Sequence, residues 1–274
     1  MVPLVSVCIP LYKQTPFLKE TVSQVFSQSF SDWELILCIN SKSNIADAIR
    51  TDLACEIKDP RVRVIVDATQ KNMAENWNAA IHAASGEFLK LLCHDDLLYT
   101  DCLERQVKAL QHHPAAILAS GARTIINSSG RALFKRSGIR KKGLHSGRAM
   151  IRRCIMAGAN IIGDPVCVMW RRSAVEKVGE FDPSVVYCTD MEYWLRLMSI
   201  GDLYYDTDPV GYYRIHKNAA ARGLARVAAE DIVHAARLQI QGGSIQLNNL
   251  QLMLVRLNSH FMGLLRQIIY KLLG

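Results

Sequence analysis

Asp95 and Asp96 stand side by side where an apolar run ends, in GEFLKLLCHDDLL. A carboxylate pair at the mouth of a buried strand offers hard oxygen ligands to a divalent cation, and magnesium or manganese held this way bridges a protein to substrate phosphates. The plainer alternative is that an Asp caps the next helix. The strand that leads directly into the pair favours the cation. Thiol chemistry fits less well. The eight cysteines form no C-x-x-C pair and no zinc spacing, and most lie in apolar runs such as VSVCIP, LILCIN and PVCVMW. They read as buried free thiols, small hydrophobes in a reducing compartment. A third feature is a block of charge. Between Gly121 and Gly163 there is no Asp or Glu but ten Lys or Arg, from Arg123 to Arg153. The whole chain is +8, so the remainder sums to −2. Such a block suits an anionic partner, whether phosphate, membrane surface or nucleic acid; the bland reading is a solvated loop.

The elements that must hold these residues alternate. Residues 5–10 read as a buried strand. Thr15 and Pro16 suit the N-cap and first position of a helix, with Phe17, Leu18, Val22, Val25 and Phe26 on its apolar face. Residues 33–39, 61–66 and 87–93 read as further strands. Met73, Trp77, Ile81 and Ala84 share a helix face, and Gly86 is placed to end that helix. This order predicts an α/β fold: a mostly parallel central sheet flanked by helices on both faces. Such sheets bind ligands beyond the C-terminal ends of their strands. Three polar tips, at residues 10–13, 40–44 and 94–97, should therefore meet in one crevice.

Farther on, the pattern predicts a helix over 101–112, short strands at 117–119 and 124–126, and a strand at 165–170. It then predicts a short helix over 173–178 ended by Gly179, a helix over 190–198 and helices from about residue 219. A chain of 274 residues, half of them apolar, suits one large domain, or one domain with an appendage. It excludes intrinsic disorder and repeat arrays. No apolar run reaches the roughly 18 residues of a membrane span. The opening MVPLVSVCIP runs straight into a strand, unlike a basic leader. Near the end, apolar residues recur at 250, 253, 254, 257, 261, 264, 265, 268 and 272, with Arg256, His260, Arg266 and Lys271 on another arc. This helix suits an anionic membrane interface, packing on the main domain, or pairing with a second subunit.

Five segments, in order and covering about residues 4–218, resemble glycosyltransferase family 2. The opening VSVCIPLYK resembles its first strand, with Lys13 where Asn is common. WELILCINSKS resembles the second strand, usually ending Asp-Asp-x-Ser. NWNAAIHAASGEFLKLLCHDDLL resembles the helix and strand that enter the D-x-D site. VGEFDPSVVYCTDMEYWLRL and YYRIHKN resemble the G-x-F-D…D segment and the closing Y-R-x-H. The resemblance implies the A-type glycosyltransferase fold, with a Rossmann-like nucleotide-sugar half (about 1–98), an acceptor half (about 99–218) and a C-terminal helical extension (219–274). It implies inverting, metal-dependent transfer from a nucleotide-sugar, foremost a UDP-sugar, to a glycan or lipid-linked acceptor in surface polysaccharide synthesis. Mn2+ or Mg2+ would be the cofactor.

By the same resemblance Pro10 and Tyr12 line the base pocket. Asn40 takes the position that usually meets uracil, and an Asn amide oxygen accepts from an imide N–H. Asn78 falls in the N-x-A element of the nucleotide-sugar site. Cys93 replaces the first acid of D-x-D, while Asp95 and Asp96 keep the metal-facing positions, with Asp95 also meeting the donor. Asp190 matches the catalytic base. Its rival Glu192 lies two residues on, about 200° around a helix, and points elsewhere. Arg214 and His216 suit the leaving diphosphate, and His216 also suits the metal. The Q-x-x-R-W motif of processive members is absent, so one sugar is expected per encounter. The implied location is the cytoplasm, peripheral on the inner face of the cell membrane, with oligomerisation left open.

Two other functions compete. A nucleotidyltransferase acting on sugar phosphates would carry a Gly-rich, Lys/Arg-containing loop after the first strand, which PLYKQTP is not. A nucleic-acid-binding module would interleave aromatics with its cations; the basic block has only Phe134 and no helix-turn-helix or zinc pattern, so no nucleic acid partner is expected.

Overall fold

The computed structural model describes residues 2–69, 71–217 and 227–273. Strands β1 (Val5–Leu11), β2 (Trp33–Asn40), β3 (Val62–Asp67) and β4 (Phe88–Leu91) pair in parallel in the order β3-β2-β1-β4. Every residue of β1 and β2 is buried, as continuous apolar strands covered on both faces must be. The connections run through α1 (Leu18–Phe26), α2 (Ser43–Asp52) and α3 (Met73–His82).

Beyond β4 the pairing is mixed. In chain order come β5 (Leu97–Leu98), α4 (Cys102–His112), β6 (Ala116–Ile126), β7 (Ala132–Arg136), β8 (Gly143–His145) and α5 (Gly147–Ala157). They are followed by β9 (Met169–Arg171), α6 (Val175–Val178), α7 (Thr189–Ser199) and β10 (Asp202–Arg214). β9 joins β4 to β6 antiparallel to both, and β10 runs parallel to β6 and antiparallel to β5. The α/β sheet flanked by helices is present, with parallel pairing confined to the first four strands and to β6–β10. The chain ends in α8 (Ala228–Gln241) and α9 (Asn249–Leu273), the C-terminal helices expected from the pattern. Residues 218–226 lie outside the described residues. No helix among the described residues is long and apolar enough to cross a membrane.

Several local expectations change. Thr15 does not cap α1: its Oγ1 is buried without a partner and the helix starts at Leu18. The turn before it instead sends Phe17 against His216, ring centres 5.1 Å apart. Gly86 does not end α3, which stops at His82. Its role is close approach: a Cβ there would lie 2.7 Å from the Ser6 backbone nitrogen, and its N–H donates to Ser6 Oγ at 2.8 Å. Gly86→Ala must push two backbones apart, so a loss of about 1–3 kcal/mol is expected in urea unfolding. The two short strands at 117–126 are one, β6, which passes through Gly121 because Val210 packs where a side chain would stand. The expected strand at 165–170 begins as a 3-10 turn over Pro165–Cys167, since proline has no N–H for a ladder. The basic block is no plain loop either, because it supplies β7, β8 and α5.

All eight cysteines are free. Six are buried; Cys55 is exposed and Cys93 half-buried.

Candidate active site

A cavity of about 720 Å3 opens beyond the ends of β1 and β4. Pro10 and Tyr12 line it from β1, Cys93 to Asp96 from the turn after β4, Asp190 from α7, and Arg214 from the end of β10. Two of the three predicted strand-end tips thus contribute to one crevice.

The carboxylate turn is held from three sides. Thr21 Oγ1 of α1 donates to the carbonyls of His94 and Asp96, at 3.2 and 3.0 Å. The Arg214 backbone N–H donates to Asp96 Oδ1 at 2.9 Å. Its guanidinium donates to the Asp95 carbonyl at 2.8 Å and to Glu20 Oε2 at 2.7 Å, and lies 4.5 Å from the Phe17 ring centre. Arg214 thus lines the cavity while its guanidinium ties the carboxylate turn to Glu20.

His216 Nε2 lies 2.8 Å from Asp95 Oδ2. Burial opposes charge on Asp95, but the His216 hydrogen bond and neighbouring His94 hold its carboxyl well below the usual range. Burial, then the Asp95 charge, push Asp96 well above it. One anion is thus secured and a second is resisted beside it. Ligand atoms of Cys93, Asp95 and Asp96 all lie within 4.8 Å of one another. Burial also pushes the Cys93 thiol well up, and a thiol is the softer donor beside two carboxylates. Two hard carboxylate oxygens fit Mn2+ or Mg2+, and a cation there would supply the positive charge that an ionised Asp96 otherwise lacks.

Asp190 sits in the first turn of α7 and accepts from Asn160 Nδ2 at 2.9 Å and from the Met191 N–H at 2.7 Å. Burial, then the nearby Asp164 carboxylate, push its pKa up to about 7. A carboxylate near neutrality has the proton affinity of a general base. Glu192 faces away, as the helix angle implied. It is buried and takes Arg196 Nε and Nη2 at 2.6 and 2.8 Å. Glu192→Gln should therefore lower the unfolding midpoint, by about 1–3 kcal/mol of stability, and leave turnover near wild type in a donor-consumption assay. Trp194 is core: it is fully buried, donates to the Gly163 carbonyl at 3.1 Å and lies 5.2 Å from Trp170.

Asn40 and Asn78 lie outside the cavity lining. Asn40 Nδ2 donates to the Asp67 and Thr69 carbonyls, and its Oδ1 accepts the Lys71 N–H at 3.0 Å. Its amide ties the loop after β3, away from the cavity lining. Asn78 exchanges two 2.9 Å hydrogen bonds with the Phe181 backbone and also lies outside that lining. Asn76, two residues earlier, does line the cavity, and its buried Oδ1 has no partner.

Sequence reasoning missed Asn160, Asp164 and Arg123. Arg123 Nε is 2.7 Å from Asp164 Oδ2, a buried ion pair without an aligned hydrogen bond. Asp164 had a faint signal as the first acid after the acid-free block. Asn160 had none.

The strand-end crevice and helix-flanked sheet define the A-type glycosyltransferase fold. The profile of the family described as Glycosyl transferase family 2 matches residues 6–179, and the chain belongs to that family. Solved structures share the fold. The mannosyltransferase PcManGT from Pyrobaculum calidifontis, in complex with GDP-Man and Mn2+, superposes with a TM-score of 0.62 at 16% identity, covering 99% of this chain and 74% of that one. S. aureus TarS 1-349 in complex with UDP-GlcNAc gives 0.63 at 14%, covering 96% and 73%. Among sequence relatives, the UDP-Glc:alpha-D-GlcNAc-diphosphoundecaprenol beta-1,3-glucosyltransferase WfgD of Escherichia coli is 28% identical over 126 residues, 46% of this chain and 48% of WfgD. The chain spans 12% and 62% of the lengths of two other relatives.

Proposed function

We propose that this chain moves a sugar from a nucleotide-sugar, foremost a UDP-sugar, to a glycan or lipid-linked acceptor, with inversion and one sugar per encounter. The observation that carries this is a single cavity holding both a carboxylate turn and a separate half-buried carboxylate, Asp190, of raised proton affinity. Asp190 takes the proton from an acceptor hydroxyl as that oxygen attacks the anomeric carbon. The bond to the nucleoside diphosphate breaks in the same in-line displacement, so the configuration inverts and no sugar–enzyme bond forms. Asn160 keeps the Asp190 carboxylate aimed into the cavity. Mn2+ or Mg2+ held by Asp95 and Asp96, with His216 beside Asp95, would neutralise charge on the departing diphosphate. Pro10, Tyr12 and Asn76 line the cavity and would meet the donor nucleoside.

The UDP-Glc donor and diphosphoundecaprenol-linked acceptor named for WfgD support a uridine donor and a lipid-linked acceptor in surface polysaccharide synthesis. The catalytic domain would span 1–218 and the helical extension 219–274, working in the cytoplasm against the inner face of the membrane. A thermal-shift screen of UDP, GDP, UDP-sugars and GDP-mannose, with and without manganese, tests the reading, since ligands of the native state raise the midpoint. A manganese-dependent rise with UDP or its sugars is expected. No rise with any nucleotide would overturn it.

A further inference from the structure

We propose that α9 and β7 form a docking face that seats the mouth of the cavity on an anionic lipid bilayer. This deepens the reading above, because it narrows the acceptor to a lipid-linked one.

The apolar stripe of α9 is not its packed face. Val255 and Ser259 are buried, and α9 packs on α5 and α8. The approach is close: Gly158, the left-handed cap of α5, would bring a Cβ within 2.5 Å of the Ser259 nitrogen. The stripe lies across the helix from this contact. Leu250, Leu257, Phe261 and Leu264 are 58–65% exposed, and Met253 and Ile268 are 52% and 54% exposed. At about 100° per residue these side chains and Leu265 fall within an arc of roughly 120°. Exposed apolar side chains in one contiguous row mark an interaction surface.

The edges of the stripe identify what it meets. One edge carries the exposed Arg256 and His260. The other turns into the cavity, where Met262 and Leu265 form part of the wall. Across the same mouth stands β7, exposed at every residue, with Phe134 and Arg136 also lining the cavity. Arg131 and Lys135 are exposed beside Phe134. The mouth is thus flanked by two apolar projections, each rimmed by cations. Apolar side chains flanked by cations suit the boundary between acyl chains and anionic headgroups. Met262, Leu265 and Phe134 then form an apolar lip, across which an amphiphilic acceptor passes from the bilayer with its polar end toward Asp190.

Co-sedimentation of the full chain with phosphatidylglycerol–phosphatidylcholine vesicles tests this directly. Wild type should pellet at low salt and be released as salt rises. The triple variant Leu257→Glu, Phe261→Glu, Leu264→Glu should stay in the supernatant with an unchanged unfolding midpoint, since all three side chains point outward. Arg131→Glu with Lys135→Glu should weaken pelleting independently. A wild type that fails to pellet, or a folded triple variant that pellets as well, overturns the proposal. So does a vesicle-indifferent wild-type dimer that the triple variant converts to monomer, which would assign the stripe to a second copy. Vesicle binding needs neither donor nor turnover. Its failure therefore leaves the glycosyl-transfer reading standing, and failure of the nucleotide screen leaves the docking face standing.

Discussion

Asp190→Asn should cut turnover by about 100-fold or more, the usual scale of a lost general base, while donor affinity stays near wild type. The substitution keeps volume and the Asn160 contact but removes the atom that accepts a proton. The wild-type pH profile should show the same group. With its pKa pushed up to about 7 by burial and by Asp164, turnover should fall as pH drops through neutrality. Stability follows the same linkage. A carboxyl whose proton affinity rises on folding favours the folded state fully below its unfolded value, near 3.8, and that contribution is lost as pH rises to about 7. Asp190→Asn should therefore unfold at a higher temperature than wild type at pH 8 and at a similar temperature at pH 4. Retention of more than about a tenth of wild-type turnover, against the usual scale of such losses, would move the base. Asp164 would then be the first place to look, because it lines the same cavity and Glu192 does not.

Asp95→Asn and Asp96→Asn should each abolish the manganese-dependent part of donor binding. Loss of a metal-facing carboxylate should exceed the roughly 10–100-fold that an outer-shell partner costs in metal affinity. Their stabilities should diverge. Asp95 is already stabilised as an anion by His216, so its Asn variant loses a charge-assisted bond and should unfold earlier at neutral pH. Asp96 resists charge in its buried site, so its Asn variant should be as stable as wild type without metal, or more so. Thermal shifts with UDP, with and without manganese, read both effects. A variant with unchanged manganese dependence would remove that residue from the ligand set.

Local patterns carried much of the fold. β1, β2 and β4 are short apolar runs bounded by polar tips, and the last runs straight into Asp95, so strand and carboxylate turn were legible together. Helical geometry alone turned Glu192 away from Asp190. The rest depends on contacts that leave no periodic trace. β10 runs through Pro209 with register shifts on either side, so its alternation breaks and its pairing with β6 was hidden. Asn40, Asn78 and Arg214 match family positions, yet each spends its polar atoms on protein groups supplied by distant segments. The packed face of α9 was invisible for a related reason. Helices that meet at Gly158 and Ser259 touch nearly backbone to backbone, and such a seam needs small residues, so the hydrophobic pattern records the opposite face.

The hydrogen bond from the Arg214 backbone to Asp96 joins residues 118 positions apart. During synthesis the turn after β4 leaves the ribosome first, and at about 5–20 residues per second its partner follows roughly 6–24 s later. Until then Asp96 lacks this donor and Asp95 lacks His216. A nascent or truncated chain would carry the parallel half of the sheet with an unfinished metal-facing turn. The turn that carries Asp95 and Asp96 is thus completed only when the last strand closes on the first half of the chain.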